Sequence, residues 1–525
     1  MKKIIALLLA AVMVLGLFAA CGNNDTPGTT AGTNTPDTPD TTAAVEEKHD
    51  PVTLHYYIAG FADQEDADKV YSEVNKLIQA IYPWITVEFH VSNSADFPTH
   101  FALAQTNEDP IDIVGSFGLS YQNEISNGSF MDVTEYLGNY EGLASALPEW
   151  AYEYGKKDGK TYGFPNWQQC NYSNFALAVE KQYADKYGFD VEKVNQLIQA
   201  EEFFNPAVYD EIGNFLAAAK DGGEKVAFAG HYITCQSRGY ENLTGPIYFA
   251  ISDEACKLVN LWETQQMKDY LVAVNKYQDA GYIPEDFATN SGAYTAKGAV
   301  ENGYCTFYYA GNAYVPNFPT LRLNGWGQDL YFLQTLMSEE QYYVGMSYAA
   351  GLTSVSATSK HPEDALRVIE LLYTDAEIQN MLVYGLEGEH YTKNADGTIT
   401  TLEYSSGQAD GKSSYGMYKF SIGNSGLTWI NQSFDQDFYD WAFNDMPENA
   451  VVSKLIGFAP DTTEISTKLG QVNAIVKEYS SQLLNATAPD WEATYAEFID
   501  KLDAAGIDDV IAALQSQVDD FLASK

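Results

Sequence analysis

Positively charged side chains are scarce in this chain. Of its 525 residues, 29 are Lys or Arg and 72 are Asp or Glu, which gives a formal net charge of −43 at pH 7. A surface with this charge repels the phosphate backbone of nucleic acids. We therefore expect no nucleic-acid partner. The length exceeds what a single hydrophobic core fills, so it predicts more than one domain.

Sequence signatures of enzymes and metal sites are also missing. The chain has no His-Glu-x-x-His, G-x-S-x-G or G-x-G-x-x-G motif, and no two histidines stand at the spacing of helical metal ligands. Gly407–Ser413 is one residue too short for a phosphate-binding loop. Thr392–Glu403 resembles a calcium loop, but its first position lacks a carboxylate, so a hairpin turn at Asp396-Gly397 is the better interpretation. We expect no catalytic residue, no cofactor and no metal.

Long apolar runs are confined to the start of the chain. Lys2 and Lys3 precede Ile4–Ala20, which has no polar side chain and leads to Cys21. This pattern is typical of a cleaved secretory signal over residues 1–20. It resembles a bacterial lipoprotein signal, in which Cys21 becomes the lipidated (palmitate-bearing) N-terminus; simple secretion with cleavage nearby is the alternative. Residues 21–50, rich in Thr and Pro and without aromatic rings, are expected to form a disordered tether.

Cysteine is rare in the rest of the chain. The remaining residues are Cys170, Cys235, Cys256 and Cys305, and their spacing matches no metal motif. Four cysteines allow three disulfide connectivities. Free buried thiols are an equal alternative.

The order of predicted elements indicates an α/β fold. Val52–Ala59 and the alternating Ile85–Val91 are predicted strands, the helical spacing of Val70–Ile81 lies between them, and Ile111–Val114 follows as a third strand. Strands that alternate with helices predict a parallel sheet. From residue 465 to residue 521, apolar side chains recur at helical spacing, which predicts three C-terminal helices whose aromatic residues face a core.

Aromatic residues are abundant and often stand in loops beside polar residues. The chain has 38 Tyr, more than its Lys and Arg together. A tyrosine ring has an apolar face and a polar hydroxyl, so it suits a surface that binds a partly polar ligand. A sugar is such a ligand, because its C–H faces can stack on rings and its hydroxyls can bond to Asn, Gln and Asp. Ligands of α/β sheets bind beyond the carboxyl ends of the strands. For each single ring, burial in the core is the commoner explanation, and the recurrence of such rings in loops favours a binding site.

Several motifs occur in an order that a known family shares. Asp109–Val114 is a short strand followed by an aromatic loop, and Asn127–Leu137 then resembles a Gly-x-Leu-x-Asp-Leu-Thr pattern, with Gly128 and Asp132 matching. Asp158–Pro165 matches Gly-Lys-x-Tyr-Gly-x-Pro, and Ser359–Tyr373 matches a helix that begins Lys-x-Pro-Glu. Through these motifs the chain resembles the extracellular solute-binding proteins of bacterial ABC importers, the carbohydrate-type family 1. Lys297–Tyr314 is also similar, with Tyr where maltose-type binders carry Trp.

This resemblance implies a type II, two-lobed periplasmic-binding-protein-like fold, each lobe a sheet flanked by helices, with a helical C-terminus. Lobe one would take residues 51–165 and 345–395, and lobe two residues 166–344 and 396–525. Two later segments, Tyr384–Tyr391 and Lys501–Ile507, are similar to the larger oligosaccharide-binding lipoproteins that carry a C-terminal domain of their own.

The resemblance further implies a monomeric, non-catalytic protein on the extracellular face of the bacterial cell membrane, held there by its lipid alone. It would pass an oligosaccharide to the transmembrane subunits of an ABC permease. Two alternatives stay open: a lipid-anchored secreted glycoside hydrolase, whose carboxylate pair the acidic residues would hide, and the same fold carrying peptide-like solutes. We expect ligand contacts from Asp63, Phe117, Tyr121, Trp167, Gln168, Tyr309, Asn312, Tyr314, Trp326 and Trp429.

Overall fold

Most of the chain after residue 48 is described by the computed structural model of the protein. The described residues are 49–168, 177–201, 204–228, 239–294, 296–309, 329–333, 342–346, 351–402, 414–432, 443–444 and 446–525. The chain divides into residues 1–49 and residues 50–525, and the elements below all lie in the second unit. None of the helices in the described residues has the length and apolar character needed to cross a membrane.

Strands are distributed over residues 52–452, and helices over residues 67–524. The strands are β1 (Val52–Gly60), β2 (Ile85–Asn93), β3 (Ile113–Gly115), β4 (Lys156–Lys157), β5 (Lys160–Thr161), β6 (Phe164–Pro165), β7 (Leu177–Glu180), β8 (Lys225–Phe228), β9 (Tyr240–Thr244), β10 (Ile247–Ala250), β11 (Leu258–Asn260), β12 (Tyr304–Tyr309), β13 (Leu330–Leu333), β14 (Tyr342–Val344), β15 (Leu352–Val355), β16 (Tyr391–Lys393), β17 (Ile399–Thr401) and β18 (Ala450–Val452). The α-helices span Ala67–Ile81, Phe97–Thr106, Tyr121–Asn127, Glu141–Ser145, Lys181–Tyr187, Val191–Glu201, Pro206–Asp221, Gln265–Asp279, Phe287–Asn290, Ala296–Asn302, Pro362–Thr374, Ala376–Tyr384, Met446–Glu448, Ser466–Leu484, Trp491–Ala504 and Ile507–Ser524.

The first sheet has the strand order β2-β1-β3-β15-β6. Its three N-terminal strands are parallel, as the alternation of strands and helices predicts. The sheet as a whole is mixed, because β15 runs antiparallel to β3 and to β6. Strand β15 comes from far downstream in the chain, so the order of the first elements does not reveal its direction. Leu54, Tyr56 and Ile58 of β1 are fully buried and anchor the first hydrophobic core.

A second sheet, of order β13-β7-β12-β8, has a separate core. Leu177 and Val179 of β7 and Phe307 of β12 pack there with apolar residues of the helix Pro206–Asp221. A third core joins the sheet β11-β10-β9 to the last helix of the chain, through Val510, Leu514 and Val518. The α/β fold with a helical C-terminus is therefore confirmed.

The C-terminal helices begin and end for local reasons visible in the sequence. The Asp490 side chain caps the helix Trp491–Ala504 by accepting a hydrogen bond from the Ala493 N–H at 3.0 Å. Gly506, just after that helix, has a φ of +82°, a left-handed conformation that favours glycine. The Asp396-Gly397 hairpin turn is also confirmed, since β16 and β17 pair antiparallel around it.

Two cysteines lie within the described residues, and both are buried free thiols. Cys256 belongs to the third core and Cys305 to the second. Burial raises the pKa of the Cys256 thiol to about 11 and that of Cys305 to about 12, so both are protonated at neutral pH. Cys21, Cys170 and Cys235 lie outside the described residues.

Several tyrosines are buried in the core, where they connect segments that are distant in the chain. Tyr154, Tyr270, Tyr373 and Tyr415 are among the largest fully buried side chains. Each donates its hydroxyl hydrogen to a distant backbone carbonyl, as Tyr270 does to Leu484 at 2.8 Å. These four residues follow the commoner explanation for a single ring, burial in the core, where they tie remote segments together.

A buried carboxyl group connects the third core to two other segments. Glu241 of β9 is 8% exposed, and it accepts hydrogen bonds from the Tyr343 hydroxyl, the Met346 N–H and, at 2.7 Å, the Ser453 hydroxyl. Burial raises the pKa of Glu241 above its ordinary value of 4.5, although the three donors act in the opposite direction.

The buried Glu241 carboxyl predicts a pH dependence of stability. Because its pKa is higher in the folded chain than in the unfolded chain, the folded chain holds a proton that the unfolded chain has released above about pH 4.5. The contribution of Glu241 to the free energy of unfolding should therefore fall as pH rises from 4.5 through the folded-state pKa. Urea unfolding from pH 4.5 to pH 8 should show a weaker decline for Glu241→Gln than for the wild type. The exposed Glu149→Gln is the control and should keep the wild-type profile; an unchanged profile in Glu241→Gln would contradict the prediction.

Candidate functional site

Four aromatic rings meet at the carboxyl ends of β1 and β3, and we call them the aromatic cluster: Phe61, Phe117, Tyr418 and Phe420. Phe61 directly follows β1, and Phe117 follows β3 by two residues. The centroid of the Tyr418 ring lies 4.2 Å from that of Phe61 and 5.1 Å from that of Phe420. Phe117 stands edge-on to Phe420, at 4.9 Å. All four rings are half-buried, so each keeps part of its surface accessible.

The loops that carry these rings are fixed by side-chain hydrogen bonds to the backbone and by a close approach of two backbone segments. The Gln64 side-chain amide donates to the carbonyls of Phe61 and Gly416, both at 2.8 Å, and so joins the loop after β1 to the Tyr418 segment. A Cβ on Gly351 would lie 2.6 Å from the backbone nitrogen of Phe117. Only glycine allows that approach, which places the backbone of Phe117 directly against the chain entering β15.

Polar groups flank the aromatic cluster at the same edge of the sheet. Asp63 is exposed and has a φ of +57°, in the left-handed region. Asn93 ends β2, is exposed, and its side-chain oxygen accepts a hydrogen bond from the Ala62 N–H at 3.2 Å. Accessible rings beside a carboxylate and an amide form a surface suited to a ligand with both apolar faces and hydroxyls.

A buried side-chain amide ties together three segments beneath this surface. Asn166 is fully buried; its Nδ2 donates to the Ser421 carbonyl at 3.0 Å, and its Oδ1 accepts from the Thr353 hydroxyl at 2.7 Å. Its backbone N–H also donates to the Gly351 carbonyl at 2.9 Å. The segment after β6, the start of β15 and the Tyr418 segment are thus held in one position relative to one another.

The structure brings only some of the predicted binding residues to this surface. Phe117 belongs to the aromatic cluster and Asp63 lies in the adjoining loop. Tyr121 is 6% exposed and lines a small cavity with Tyr154 and Phe458. Its role in binding stays a prediction.

Trp167 is buried next to the segment that carries the aromatic cluster. It is 4% exposed, its ring lies 5.6 Å from that of Trp150, and its backbone N–H donates to the Gly423 carbonyl at 2.8 Å. Gln168, the next residue, is half-buried. Both residues stand beside the Asn166 connection, and their ligand contacts stay predictions.

Trp429 occupies a different environment, against the hairpin of β16 and β17. Its ring lies 5.3 Å from that of Tyr391, and the Lys393 ammonium stands 4.1 Å from its centroid. The backbone N–H of Trp429 donates a hydrogen bond to the Asn380 side-chain oxygen at 2.7 Å. Tyr309 is the last residue of β12, and the structure describes only its backbone. Asn312, Tyr314 and Trp326 lie outside the described residues.

Of the aromatic cluster, the sequence analysis predicted a ligand contact for Phe117 and missed the other three rings, Phe61, Tyr418 and Phe420. The run Tyr415–Phe420 is rich in aromatic residues, which is the one signal it carries. Its position against the end of β1 depends on contacts between segments distant in sequence, such as the one from Gln64 to Gly416. Such long-range packing has no local pattern in the chain.

Comparison with known proteins confirms the resemblance to carbohydrate-type solute-binding proteins. Over 491 residues, 92% of this chain and 93% of the relative, it is 22% identical to a carbohydrate ABC transporter substrate-binding protein of Streptococcus pneumoniae. Residues 454–523 match a family model described as a domain of unknown function, DUF3502, which agrees with the predicted C-terminal domain.

Solved structures confirm the fold. The N-glycan transport solute binding protein NgtS of Streptococcus pneumoniae superposes with a TM-score of 0.71 at 20% identity, covering 90% of this chain and 99% of that one. The substrate binding protein FusA of the same species superposes with a TM-score of 0.58 at 16% identity, covering 90% and 100%. The first is described as a solute binding protein and the second as a substrate binding protein.

The Asn166 amide predicts a measurable coupling between β6 and β15. Asn166→Ala leaves the Ser421 carbonyl and the Thr353 hydroxyl without their buried partner, which should lower the free energy of unfolding by about 1–3 kcal/mol. In a double-mutant cycle, Asn166→Ala and Thr353→Val should couple by at least about 0.5 kcal/mol, measured by urea unfolding. Asn139→Ala, an exposed control, should change stability by less than about 0.5 kcal/mol. Additive effects of the two buried substitutions would disprove the coupling.

Proposed function

We propose that this chain is the solute-binding protein of a bacterial ABC importer, and that it captures an oligosaccharide and delivers it to the permease. The observation that carries the proposal is the aromatic cluster at the carboxyl ends of β1 and β3. In an α/β sheet this edge is where ligands bind. The whole-chain similarity to carbohydrate-type substrate-binding proteins supports it.

The chemistry of this edge favours a sugar over a purely apolar or purely charged solute. Half-buried rings give a sugar's C–H faces a surface to stack on, and the exposed Asp63 carboxylate and Asn93 amide offer partners for hydroxyls. Several rings side by side provide contact area for more than one sugar unit. We therefore infer an oligosaccharide as the solute.

The structural neighbours support the same class of solute. Structures of NgtS contain Man1GlcNAc or Man5GlcNAc, and they superpose on this chain with TM-scores of 0.63 and 0.61. FusA was solved with kestose. Because identity to these proteins is 16–21%, the individual sugar is a matter for experiment on this chain.

Binding would use two lobes built around the first and second cores. We propose residues 51–165 and 345–395 as the first lobe, and residues 166–344 and 396–525 as the second, with one adjustment. Tyr415, Met417 and Ile422 pack into the first core and Ile430 packs against it, so residues 414–432 belong with the first lobe. A solute that contacts both lobes would favour the closed arrangement by its extra contacts there. Trp429 and the residues after β12 remain candidates for those contacts.

We place the protein on the extracellular face of the cell membrane, held by lipid on Cys21. The support is the sequence of residues 1–21, a positive start and an apolar run that ends at small residues and cysteine. Two or more acyl chains give nearly permanent attachment, since each buried methylene contributes about 0.8 kcal/mol.

A ligand screen by thermal unfolding tests the function. Mannose–N-acetylglucosamine oligosaccharides, fructo-oligosaccharides including kestose, and short peptides are each added to the purified protein. A true ligand at 100 times its dissociation constant stabilises the folded state by about 2.7 kcal/mol and raises the melting temperature. We expect a shift with an oligosaccharide and an intact sugar after incubation. A shift with peptides alone would reject the carbohydrate assignment, and hydrolysis of the sugar would indicate a glycosidase.

Tyr418→Ala tests whether the aromatic cluster is the binding site. Loss of one stacked ring should remove about 1–1.5 kcal/mol of binding energy, which is about a fivefold to tenfold loss of affinity for the sugar found in the screen, measured by calorimetry. The matched control is Tyr136→Ala, because Tyr136 is also half-buried and packs on the first core but lies outside the aromatic cluster. Equal affinities in the two variants would place the site elsewhere.

Lipid attachment predicts a change of location on substitution of Cys21. In a bacterial host fed labelled palmitate, the wild-type chain should carry the label and sediment with membranes. Cys21→Ser should carry no label and appear in the soluble fraction, because it lacks the thiol that the lipid modifies. Cys256→Ala, which removes a buried thiol, is the control and should stay with the membranes. Label on Cys21→Ser would rule out this anchor.

A further inference from the structure

Two histidines and a glutamate stand together on neighbouring strands of the first sheet. His55 lies on β1, and Glu88 and His90 lie on the edge strand β2. The parallel register pairs His55 with Glu88 and Tyr57 with His90. Because side chains alternate along a strand, His55 and Tyr57 share one face of β1, and Glu88 and His90 share one face of β2. The histidines are partly buried, at 21% and 29% exposure.

The distances within this group suit a single metal ion. His55 Nδ1 lies 3.0 Å from His90 Nε2. Two nitrogens that bind one zinc ion at about 2.0–2.1 Å lie about 2.8–3.4 Å apart when the N–Zn–N angle is between about 90° and the tetrahedral value. The Glu88 carboxylate stands 3.8 Å from His55 Nδ1 and 3.6 Å from His90 Nε2, and all the donor atoms lie within 4.8 Å of one another. A small rotation of the exposed Glu88 side chain would bring it into the same coordination sphere.

Surrounding contacts hold the two imidazoles in place. The His90 ring is stacked on Tyr57, with centroids 4.3 Å apart and planes at 16°, and it also faces the His55 ring at 5.2 Å. The backbone N–H of His55 donates to the Asp112 carboxylate at 3.0 Å, and the His55 carbonyl accepts from the Asp112 N–H at 2.9 Å. Fixed ligands reduce the entropy lost when an ion binds.

We propose that His55, Glu88 and His90 bind one transition-metal ion, with Zn²⁺ as the natural occupant. Imidazole nitrogens with one carboxylate suit zinc, cobalt or nickel rather than calcium or magnesium, which favour all-oxygen sites. His55, Asp109 and Asp112 are among the residues that line a cavity of about 670 Å³. Three protein ligands leave a fourth position for water, and the cavity gives water access to it.

The motif search in the sequence did not detect this group of metal ligands. The two histidines are remote in the chain, and only the parallel pairing of β1 and β2 brings them together. The search for metal ligands at helical spacing does not find ligands that meet across strands. The expectation of no metal therefore rested on a pattern that does not cover this case.

Cobalt and zinc titrations of the purified full-length chain test the site. The chain is prepared without a histidine tag and treated with a chelator. We expect one Co²⁺ per chain with visible absorption bands, displaced by one equivalent of Zn²⁺ and not by excess Ca²⁺. Glu88→Gln and His90→Gln should each bind Zn²⁺ about tenfold or more weakly, since even indirect partners of a metal contribute about that much. His100→Gln is the matched control, because His100 is exposed and bonds Ser92 outside the group.

Stability measurements keep the test decisive if His90→Gln folds poorly. Glu88 is 57% exposed, so Glu88→Gln should fold normally and decide the outcome. Zn²⁺ should raise the melting temperature of the wild type and of His100→Gln more than that of Glu88→Gln, because binding to the folded state adds stability. Failure of the wild type to bind Co²⁺, or equal Zn²⁺ affinity in wild type and Glu88→Gln, would overturn the proposal. None of these readouts requires an oligosaccharide, so the result is independent of the proposed function.

Discussion

The buried amide of Asn166 is the interaction on which the candidate binding surface depends. It satisfies both of its polar atoms across segments far apart in the chain, Thr353 on one side and Ser421 on the other. A buried amide left half-paired would cost more than the net gain of a formed hydrogen bond. We therefore expect the hydrogen bonds of Asn166 to Thr353 and Ser421 to form or break together, so that the three segments are positioned as a unit.

The hydrogen bonds of Asn166 also fix the positions of rings in the aromatic cluster. Ser421 stands next to Phe420, so fixing the Ser421 carbonyl limits how far the Tyr418 and Phe420 rings can move relative to β15. Gly351 then sets the backbone of Phe117 against the same strand, and Gln64 fixes the loop of Phe61. Rings positioned by backbone contacts need little reordering when a ligand arrives, which lowers the entropic cost of binding.

The parts of this structure that sequence could predict are those with a local cause. The alternation of Ile85–Val91 and the spacing of the C-terminal helices act within a few residues, and these elements were found where predicted. The Asp490 cap has an equally local cause. The location of Phe117 beyond a strand follows from the same logic. The direction of β15, the placement of Tyr418 and the pairing of His55 with His90 are set by partners remote in the chain. Hydrophobic period carries no information about such partners.

Tyrosine shows why composition is a weak guide to a binding site. Its hydroxyl lets a large ring be buried without an unpaired polar atom whenever a carbonyl is within reach, as Tyr373 and Tyr415 show. The same residue type in a loop, half-buried like Tyr418, keeps part of its ring accessible to a ligand. The two uses differ in their position in the fold. A ring between core segments connects them, and a ring beyond the carboxyl ends of parallel strands lies where ligands of α/β sheets bind. The positions of tyrosines in the fold can therefore indicate a binding site. A high tyrosine count alone is equally consistent with a core held together by phenol-to-carbonyl hydrogen bonds and with a surface that binds sugar.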